Sequence, residues 1–310
     1  MKLDKKSKIF IAGHNGMVGS ALLRHFKKKK YKNLIIQNKK KLNLLNQKKT
    51  EQFLRKIKPE FVIIAAARVG GIFANQENKA DFIYQNLMIQ NNLIHSSYLA
   101  GVKKLIFLGS SCIYPKYSKQ PIKEDYLLSG ILEPTNDAYA VAKIAGVKMC
   151  EAYNKQYNLN YICLMPTNLF GINDNYDLKN SHFFPALIKK IFYAKKNKAK
   201  YLEIWGNGKP KRELMYVDDL ADACEFFLRI KTKHTLINIG SGIEKTIEGY
   251  AKFIMKKLNL KLNLKFNRNK PNGTVRKLVD ASLAKKYGWK SKFSLEEGFD
   301  LTFKDFLKNL

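Results

Sequence analysis

Cysteine, acidic residues and long apolar runs are all scarce in this chain of 310 residues. There are four cysteines and no Cys-x-x-Cys pair, which argues against a disulfide framework or a zinc site and favours a reducing compartment. No apolar run approaches the ~20 residues needed to cross a bilayer. We therefore expect a cytoplasmic protein with no membrane segment and no bound metal.

The shortage of acidic residues leaves a large positive charge. The chain has 57 Lys and Arg against 25 Asp and Glu, a formal net charge of +32. Such an excess is typical of proteins that bind nucleic acids or anionic surfaces. The lysines are scattered, however, with only short runs at 27–30 and 39–41. We interpret the excess mainly as compositional drift and expect no specific nucleic-acid partner, although an anionic nucleotide would be attracted.

A glycine-rich turn follows the first predicted strand, at residues 9–12. Its sequence is Gly13-His14-Asn15-Gly16-Met17-Val18-Gly19, and a helical pattern follows it. In a dinucleotide-binding turn the first glycine allows the tight bend and the second lets the backbone approach a pyrophosphate. The third lets helix and strand pack closely. The spacing is a relative of Gly-x-Gly-x-x-Gly and predicts a dinucleotide site; the alternative is a turn that binds nothing.

The second predicted strand, at residues 34–36, indicates which dinucleotide is preferred. NAD-binding strands at this position usually end in an acid that binds the ribose 2′-hydroxyl. Here the strand continues into Gln37-Asn38-Lys39-Lys40-Lys41, with no carboxylate and with three cations. The missing acid favours NADP, whereas the lysines alone would mean little in a chain this rich in lysine.

Tyr139 and Lys143 stand four residues apart in a helical pattern, so they share one face of the helix. An ammonium beside a phenol favours its ionised form and moves its pKa toward neutral pH. Ser110, at the end of the predicted strand 104–108, could hold a substrate oxygen nearby. The set predicts proton transfer to a carbonyl or from an alcohol. The alternative is a chance pairing of a surface lysine with a core tyrosine.

Strand-like and helix-like patterns alternate through the first two-thirds of the chain, which is typical of a parallel sheet covered by helices on both faces. We predict an α/β protein: a Rossmann-type doubly wound parallel sheet with a smaller C-terminal α/β substrate domain. Residues 1–170 would form the NADP-binding domain, with a return segment at about 214–240. The substrate domain would comprise 171–213 and 241–310, beginning with a polar loop at 168–181.

Longer motifs resemble one family. They are Gly-His-Asn-Gly-Met-Val-Gly-Ser at 13–20, Ala-Ala-Ala-Arg-Val-Gly-Gly-Ile at 65–72, Asp-Phe-Ile-Tyr-Gln-Asn at 81–86, Leu-Gly-Ser-Ser-Cys-Ile-Tyr-Pro at 108–115, Leu-Glu-Pro-Thr-Asn at 132–136, Met-Pro-Thr-Asn-Leu-Phe-Gly at 165–171, Asn-Ser-His at 180–182 and Lys-Pro-Asn-Gly-Thr-Val-Arg-Lys at 270–277. Over essentially its whole length the chain is similar to the GDP-L-fucose synthases of the extended short-chain dehydrogenase/reductase superfamily. The resemblance implies an enzyme that epimerises GDP-4-keto-6-deoxy-D-mannose at C3″ and C5″ and reduces its 4-keto group with NADPH.

The resemblance also implies roles for individual residues. Ser110, Tyr139 and Lys143 would serve the reduction, and Cys112 and His182 would be the acid and base of the epimerisation. The implied NADP contacts are Gly13, His14, Asn15, Gly16, Met17, Val18, Gly19, Lys39, Lys40, Lys41, Leu42, Asn43, Leu44, Leu108, Gly109, Ser110, Ser111, Lys143, Pro166, Thr167, Asn168, Leu169 and His182. The implied GDP-sugar contacts are Lys190, Trp205, Arg212 and Asn272, with Arg276 and Lys277 as further candidates for the diphosphate.

The resemblance has one departure and leaves alternatives open. Family members often carry an arginine suited to the 2′-phosphate where this chain has Asn15, so NADP selectivity would depend more on Lys39. A 4,6-dehydratase would place Asp-Glu where Ser111 and Cys112 stand, and a simple 4-epimerase would hold NAD tightly. A non-catalytic NADP-binding or nucleic-acid-associated protein is the alternative from another class. A homodimer through the helix at about 80–100 and the Tyr139 helix is expected.

Overall fold

The computed structural model describes residues 3–178, 180–270 and 272–310. Its strands, in chain order, are β1 (Ile9–Ala12), β2 (Leu34–Ile35), β3 (Phe61–Ile64), β4 (Lys104–Leu108), β5 (Tyr161–Pro166), β6 (Asn168–Phe170), β7 (Tyr201–Trp205), β8 (Lys211–Tyr216), β9 (Leu236–Ile239), β10 (Glu244–Thr246), β11 (Asn263–Asn267) and β12 (Arg276–Lys277).

The helices, in chain order, are α1 (Met17–Lys28), α2 (Gln47–Ile57), α3 (Ile72–Glu77), α4 (Lys79–Leu99), α5 (Asp137–Tyr157), α6 (Phe183–Lys196), α7 (Val217–Arg229), α8 (Ile247–Lys257), α9 (Ser282–Lys286) and α10 (Leu295–Lys308). The longest, α4 and α5, have 21 residues each. Across the described ranges, no helix combines the length and the apolar character that crossing a bilayer requires.

A six-stranded parallel sheet in the order β2-β1-β3-β4-β5-β9 forms the centre of the fold. Successive side chains of a strand point to opposite faces, and β1 shows this directly. Ile9 and Ile11 join the core that α1 and α7 cover, whereas Phe10 and Ala12 join the core that α2, α4 and α5 cover. Helices on both faces confirm the predicted doubly wound fold.

A second, smaller part is built around β8. This strand pairs with β6, β10 and β12, while β7 and β11 form a separate parallel pair. A third apolar core joins these strands to α6, α8 and α10. The predicted loop at 168–181 is therefore wrong at its start. Asn168–Phe170 is a strand because Leu214–Tyr216 offers it a parallel partner that no local pattern reveals.

The chain returns to the six-stranded sheet through α7 and β9. Its path crosses between the two parts at Pro166–Asn168 and again near Tyr216. The carboxyl ends of β4 and β5 face this crossing, and open α/β sheets bind ligands at such an edge. The predicted division into an NADP-binding and a substrate-binding domain stays a prediction.

Candidate active site

The turn between β1 and α1 has the backbone that its glycines predict. Gly13 has φ of +91°, and a Cβ on it would lie 2.6 Å from the backbone nitrogen of Ala66 on the neighbouring segment. A Cβ on Gly19 would overlap the carbonyl group of Gly13. A Cβ on Gly16, the residue before the first turn of α1, would lie 3.7 Å from the carbonyl oxygen of Gly13, an ordinary contact. The first and third glycines are thus fixed by packing, and the second leaves the helix N-terminus approachable.

Two polar features mark the same turn. Among the described residues, the buried Nδ1 atom of His14 has no hydrogen-bond partner. The carbonyl oxygen of Asn15 accepts a hydrogen bond from Nδ2 of Asn173, 2.9 Å away. A helix N-terminus with approachable backbone suits a phosphate group, and an unpaired imidazole nitrogen is suited to a polar ligand. These residues fit a dinucleotide.

The segment after β2 supplies cations and no acid. Lys39, Lys40 and Lys41 are exposed. Leu42 is buried in the core between the sheet and α2, so only its backbone could contact a nucleotide. Leu44 packs beside the same core, and its carbonyl oxygen accepts a hydrogen bond from Asn92. The segment could hold a 2′-phosphate through the three lysines.

Tyr139 and Lys143 lie on α5 above the carboxyl end of β4. Nζ of Lys143 donates a hydrogen bond to the carbonyl oxygen of Leu108 at 2.9 Å and lies 5.8 Å from the centre of the Tyr139 ring. Burial lowers the pKa of Lys143 to about 8. Burial also raises the pKa of Tyr139, and the neighbouring Cys112 raises it further. The expected lowering of the phenol pKa is absent because desolvation outweighs the nearby cation.

Cys112 follows β4 closely. Ser110 precedes a single 3₁₀ turn, Ser111–Ile113, and its Oγ accepts a hydrogen bond from the backbone nitrogen of Cys112 at 3.4 Å. Burial raises the pKa of the Cys112 thiol, and Lys277, Ser110 and Lys143 partly offset this rise. Burial therefore opposes ionisation of the thiol, and two cations favour it.

His182 precedes the first turn of α6. Desolvation by the atoms packed around the ring lowers the pKa of His182, and the charge of Lys277 lowers it further, although the residue keeps an exposed surface. The preceding residues touch the segment after β3: the backbone nitrogen of Gly71 donates to the carbonyl oxygen of Asn180 at 2.9 Å. The charge of Lys277 thus reaches both Cys112 and His182, and the region between these residues and Tyr139 is the Cys112 cleft.

The remaining predicted contacts, residues 166–169, lie where the larger part of the protein meets the smaller part. The Thr167 hydroxyl and the Asn168 amide both donate to the carbonyl oxygen of Glu213, at 3.2 Å and 3.0 Å. Leu169 packs against the core beneath α1 and α7, and Pro166 ends β5. Because these side chains are engaged in contacts within the protein, a bound nucleotide would contact mainly the backbone of residues 166–169.

The predicted GDP-sugar residues lie around β7 and β8. Nζ of Lys190 lies 5.3 Å from the centre of the half-exposed Trp205 ring. Arg212 donates to the carbonyl oxygen of Thr274 at 2.6 Å, and its pKa falls to about 10 because it is buried. Asn272 Oδ1 accepts from the backbone nitrogen of Asn207 at 2.8 Å. The four residues thus border a single region, between Trp205 and the loop before β12.

Sequence reasoning missed three neighbours of these residues. Lys270 also lies 5.3 Å from the Trp205 ring. The Phe82 ring meets the Tyr139 ring edge-on, with centres 6.3 Å apart. Lys277, a candidate for the diphosphate, pairs in register with Arg212, and its charge also acts on Cys112 and His182. No spacing rule could find these contacts, because each joins segments that are distant along the chain.

The comparisons with known proteins agree with this geometry. The model of the NAD dependent epimerase/dehydratase family matches residues 9–240. The chain belongs to this family. GDP-L-fucose synthase 1 of Arabidopsis thaliana is 49% identical over 307 residues, which cover 99% of this chain and 95% of that protein. The predicted resemblance to GDP-L-fucose synthases is confirmed at this level.

Two solved structures of the family superpose on the whole chain. A GDP-6-OMe-4-keto-L-xylo-heptose reductase from C. jejuni has a TM-score of 0.93 at 36% identity, covering 100% of both chains. A GDP-L-fucose synthetase from Naegleria fowleri bound to NADP has a TM-score of 0.90 at 28% identity, covering 100% of this chain and 95% of that one. Both matches confirm the Rossmann-type fold class.

Proposed function

We propose that the protein converts GDP-4-keto-6-deoxy-D-mannose to GDP-L-fucose, by epimerising C3″ and C5″ and reducing the 4-keto group with NADPH. One observation carries the proposal. The reductase set of Ser110, Tyr139 and Lys143 lies beside Cys112, which with His182 would form a second pair of proton-transfer groups. A reductase needs only the first set, whereas moving protons at carbons beside a ketone needs the second.

NADP is the proposed cofactor, and it would supply the hydride. The glycine turn, the unpaired Nδ1 of His14 and the exposed lysines after β2 support this choice. Asn15 cannot contribute the charge of the arginine that relatives often carry. Lys39 and its neighbours are therefore the proposed contacts of the 2′-phosphate.

In the proposed reduction, Tyr139 gives its proton to the sugar oxygen as negative charge develops there. Its raised pKa keeps the phenol protonated at neutral pH, which suits a proton donor. Ser110 orients the same oxygen through a hydrogen bond. Lys143 holds its place through the carbonyl oxygen of Leu108 and stabilises the phenolate left behind.

In the proposed epimerisation, Cys112 and His182 act on opposite faces of the sugar. One group takes the proton from the carbon beside the ketone, and the C–H electron pair becomes an enolate. The other group returns a proton to the opposite face. Ser110 and Tyr139 donate hydrogen bonds to the enolate oxygen, so the two activities share one oxygen site.

The diphosphate and sugar would lie between Trp205 and β12. Lys190 and Arg212 supply positive charge, and the Arg guanidinium suits a phosphate because it can donate two parallel hydrogen bonds. Trp205 offers a flat apolar face, flanked by Lys190 and Lys270. Arg276 is not part of this proposal, because its guanidinium already donates to both oxygens of Glu244, at 2.9 Å and 2.6 Å.

A second candidate is a nucleotide-sugar 4-reductase that does not epimerise its substrate. The TM-score of 0.93 to the heptose reductase favours it. Cys112 and His182 in the same cleft argue for the epimerase. The two candidates differ in the configuration of the product at C3″ and C5″.

Product identification tests the proposal. The keto-sugar nucleotide and NADPH are incubated with the enzyme in D₂O, and the product is examined by NMR and mass spectrometry. We expect GDP-L-fucose with deuterium at C3″ and C5″. A 4-reduced sugar that kept its configuration would select the second candidate, and no consumption of NADPH would overturn both.

A homodimer and a cytoplasmic location complete the proposal. The helices α4 and α5 expose Tyr84, Val141 and Tyr157, a surface that a second copy could cover. The four cysteines are free thiols, which suits a reducing compartment. Analytical ultracentrifugation should give a mass of about twice the 35.7 kDa of the chain. A mass of one chain at micromolar concentration would contradict the dimer.

A further inference from the structure

The β3–α3 segment, residues 65–71, is held in place by two buried asparagines. Asn86 of α4 pairs with both backbone groups of Arg68: its Oδ1 atom accepts from the nitrogen, and its Nδ2 atom donates to the carbonyl oxygen, each at 3.0 Å. Nδ2 of Asn75 donates to the last two carbonyl oxygens of the segment, at 2.9 Å and 3.0 Å. Because both asparagines are buried, the segment has a fixed position against α3 and α4.

One side of this segment packs against a ring that contacts Tyr139. A Cβ on Gly70 would lie 2.8 Å from Cβ of Ala74 and 3.3 Å from Cζ of Phe82. The Phe82 ring in turn meets the Tyr139 ring edge-on, with centres 6.3 Å apart. Only one aromatic ring therefore separates Gly70 from the proposed proton donor of the reduction.

The next residue, Gly71, lies against the backbone that leads into His182. Its nitrogen donates to the carbonyl oxygen of Asn180 at 2.9 Å, and a Cβ on it would lie 2.5 Å from the carbonyl oxygen of Ser181. Ordinary contacts of a Cβ begin at about 3.4 Å. The backbone angles of Gly71, φ −69° and ψ −177°, are open to any residue. Glycine is therefore needed here for the close approach and not for the backbone conformation.

We propose that Gly71 is a positioning residue for epimerisation, because its missing side chain lets the backbone before His182 pack directly on the β3–α3 segment. The inference rests on the proposed function. Gly70 and Gly71 are consecutive, and one supports the Tyr139 side of the cleft while the other supports the His182 side. A single fixed segment thus sets the spacing between a group proposed for reduction and a group proposed for epimerisation.

Added volume at Gly71 would move only one of these two groups. A methyl group there must displace Ser181 by about 1 Å to reach an ordinary contact, and His182 is the next residue of the chain. Proton transfer requires hydrogen-bond distance, and a misplacement of 1 Å can slow a reaction by about 10²-fold. Tyr139 meets the segment only through Phe82, so reduction should continue.

Deuterium exchange tests this assignment directly. The wild-type enzyme and Gly71→Ala are incubated with the keto-sugar nucleotide in D₂O without NADPH, and exchange at C3″ and C5″ is followed by NMR. Exchange by the wild type establishes the proposed epimerisation independently of Gly71. We expect exchange by Gly71→Ala to be slower by about 10²-fold. When NADPH is added, Gly71→Ala should oxidise it near the wild-type rate and form 4-reduced sugar of unchanged configuration.

Gly101→Ala is the matched control for a general loss of stability. Gly101 has φ of +71°, which alanine adopts only with strain. It precedes β4, at the end of the sheet opposite to the cleft. The melting temperature of this variant should fall, whereas its exchange rate should stay at the wild-type value. The Cε1–H resonance of His182, assigned by its loss in His182→Gln, should shift in Gly71→Ala and stay in place in Gly101→Ala.

Asn75→Ala tests the same support without adding volume. It removes both hydrogen bonds to the end of the β3–α3 segment, so it should slow exchange more than it slows reduction. This variant decides the question if Gly71→Ala does not fold.

The competing role of Gly71 is a purely structural one. It predicts that exchange and NADPH oxidation fall together, and this result would overturn the inference. Equal exchange by the wild type and Gly71→Ala would overturn it as well. A wild type that incorporates no deuterium would instead refute the proposed epimerisation, and the inference with it.

Discussion

The glycine turn and the Cys112 cleft position polar groups in different ways. Seven consecutive residues make the turn, and its shape follows from where a Cβ would fit. The cleft is bordered by Cys112, Tyr139, His182 and Lys277, which are distant in sequence and belong to a 3₁₀ turn, α5, the start of α6 and β12. Its properties follow from burial and from charges that only the fold brings together. Local sequence therefore determines the turn, whereas tertiary structure determines the chemistry of the cleft.

The largest effect expected is in the cleft. Tyr139→Phe should reduce ketone reduction by roughly 10²–10⁴-fold, the usual contribution of a general acid. Deuterium exchange at C3″ and C5″ should fall less, because Ser110 still donates to the enolate oxygen. Stopped-flow measurement of NADPH oxidation and NMR of exchange give the two rates. An unchanged reduction rate would refute the role of the phenol.

A methyl group added to the glycine turn should destabilise the protein at Gly19 but not at Gly16. Gly19→Ala should lower the free energy of unfolding by about 1–3 kcal/mol, the usual cost of overpacking, because its Cβ would overlap Gly13. Gly16→Ala is the control: its Cβ would meet nothing closer than 3.7 Å. Urea unfolding measures both. Equal destabilisation by the two changes would show that packing does not distinguish these glycines.

The smallest effect concerns the charge of Lys143. Its pKa is about 8 in the folded protein against an ordinary value of 10.5, so the unfolded chain binds more protons between these values. The contribution of Lys143 to the free energy of unfolding therefore rises with pH between about 8 and 10.5. Lys143→Met removes the cost of burying the ammonium and loses the hydrogen bond to Leu108. The variant should therefore be more stable than the wild type at pH 7 by about 1 kcal/mol. This difference should shrink above pH 8.

Thermal unfolding of the two proteins from pH 7 to pH 10 checks this expectation. The activity of Lys143→Met should be lost throughout the range, so stability and function would move in opposite directions. A variant that is less stable than the wild type at pH 7 would mean that the hydrogen bond to Leu108 outweighs the cost of burying the ammonium.

Periodicity in the sequence was enough to predict most of the six-stranded sheet. The predicted strands at 9–12 and 104–108 have those bounds in the structure, because every residue of each is buried and apolar runs of this length are typical of parallel strands. The strand Asn168–Phe170 was missed because its partner, β8, lies more than forty residues further along the chain. Its three residues carry no alternating pattern of their own.

The candidate site could be predicted in part. The resemblance nominates Ser110, Cys112, Tyr139, Lys143 and His182. The structure places Cys112 beside Ser110, Tyr139 and Lys143, while the roles of all five stay a prediction. The direction of the Tyr139 pKa was wrong because spacing on a helix says nothing about desolvation. The ion pair of Arg276 with Glu244 was equally hidden, because the two residues are 32 positions apart in sequence.

The central claim is that one cleft carries two separable proton-transfer sets. The most direct measurement is the product that Cys112→Ser forms from the keto-sugar nucleotide and NADPH in D₂O. The account predicts a 4-reduced sugar with unchanged configuration and no deuterium at C3″ or C5″. GDP-L-fucose carrying deuterium at both carbons, formed at the wild-type rate, would contradict it.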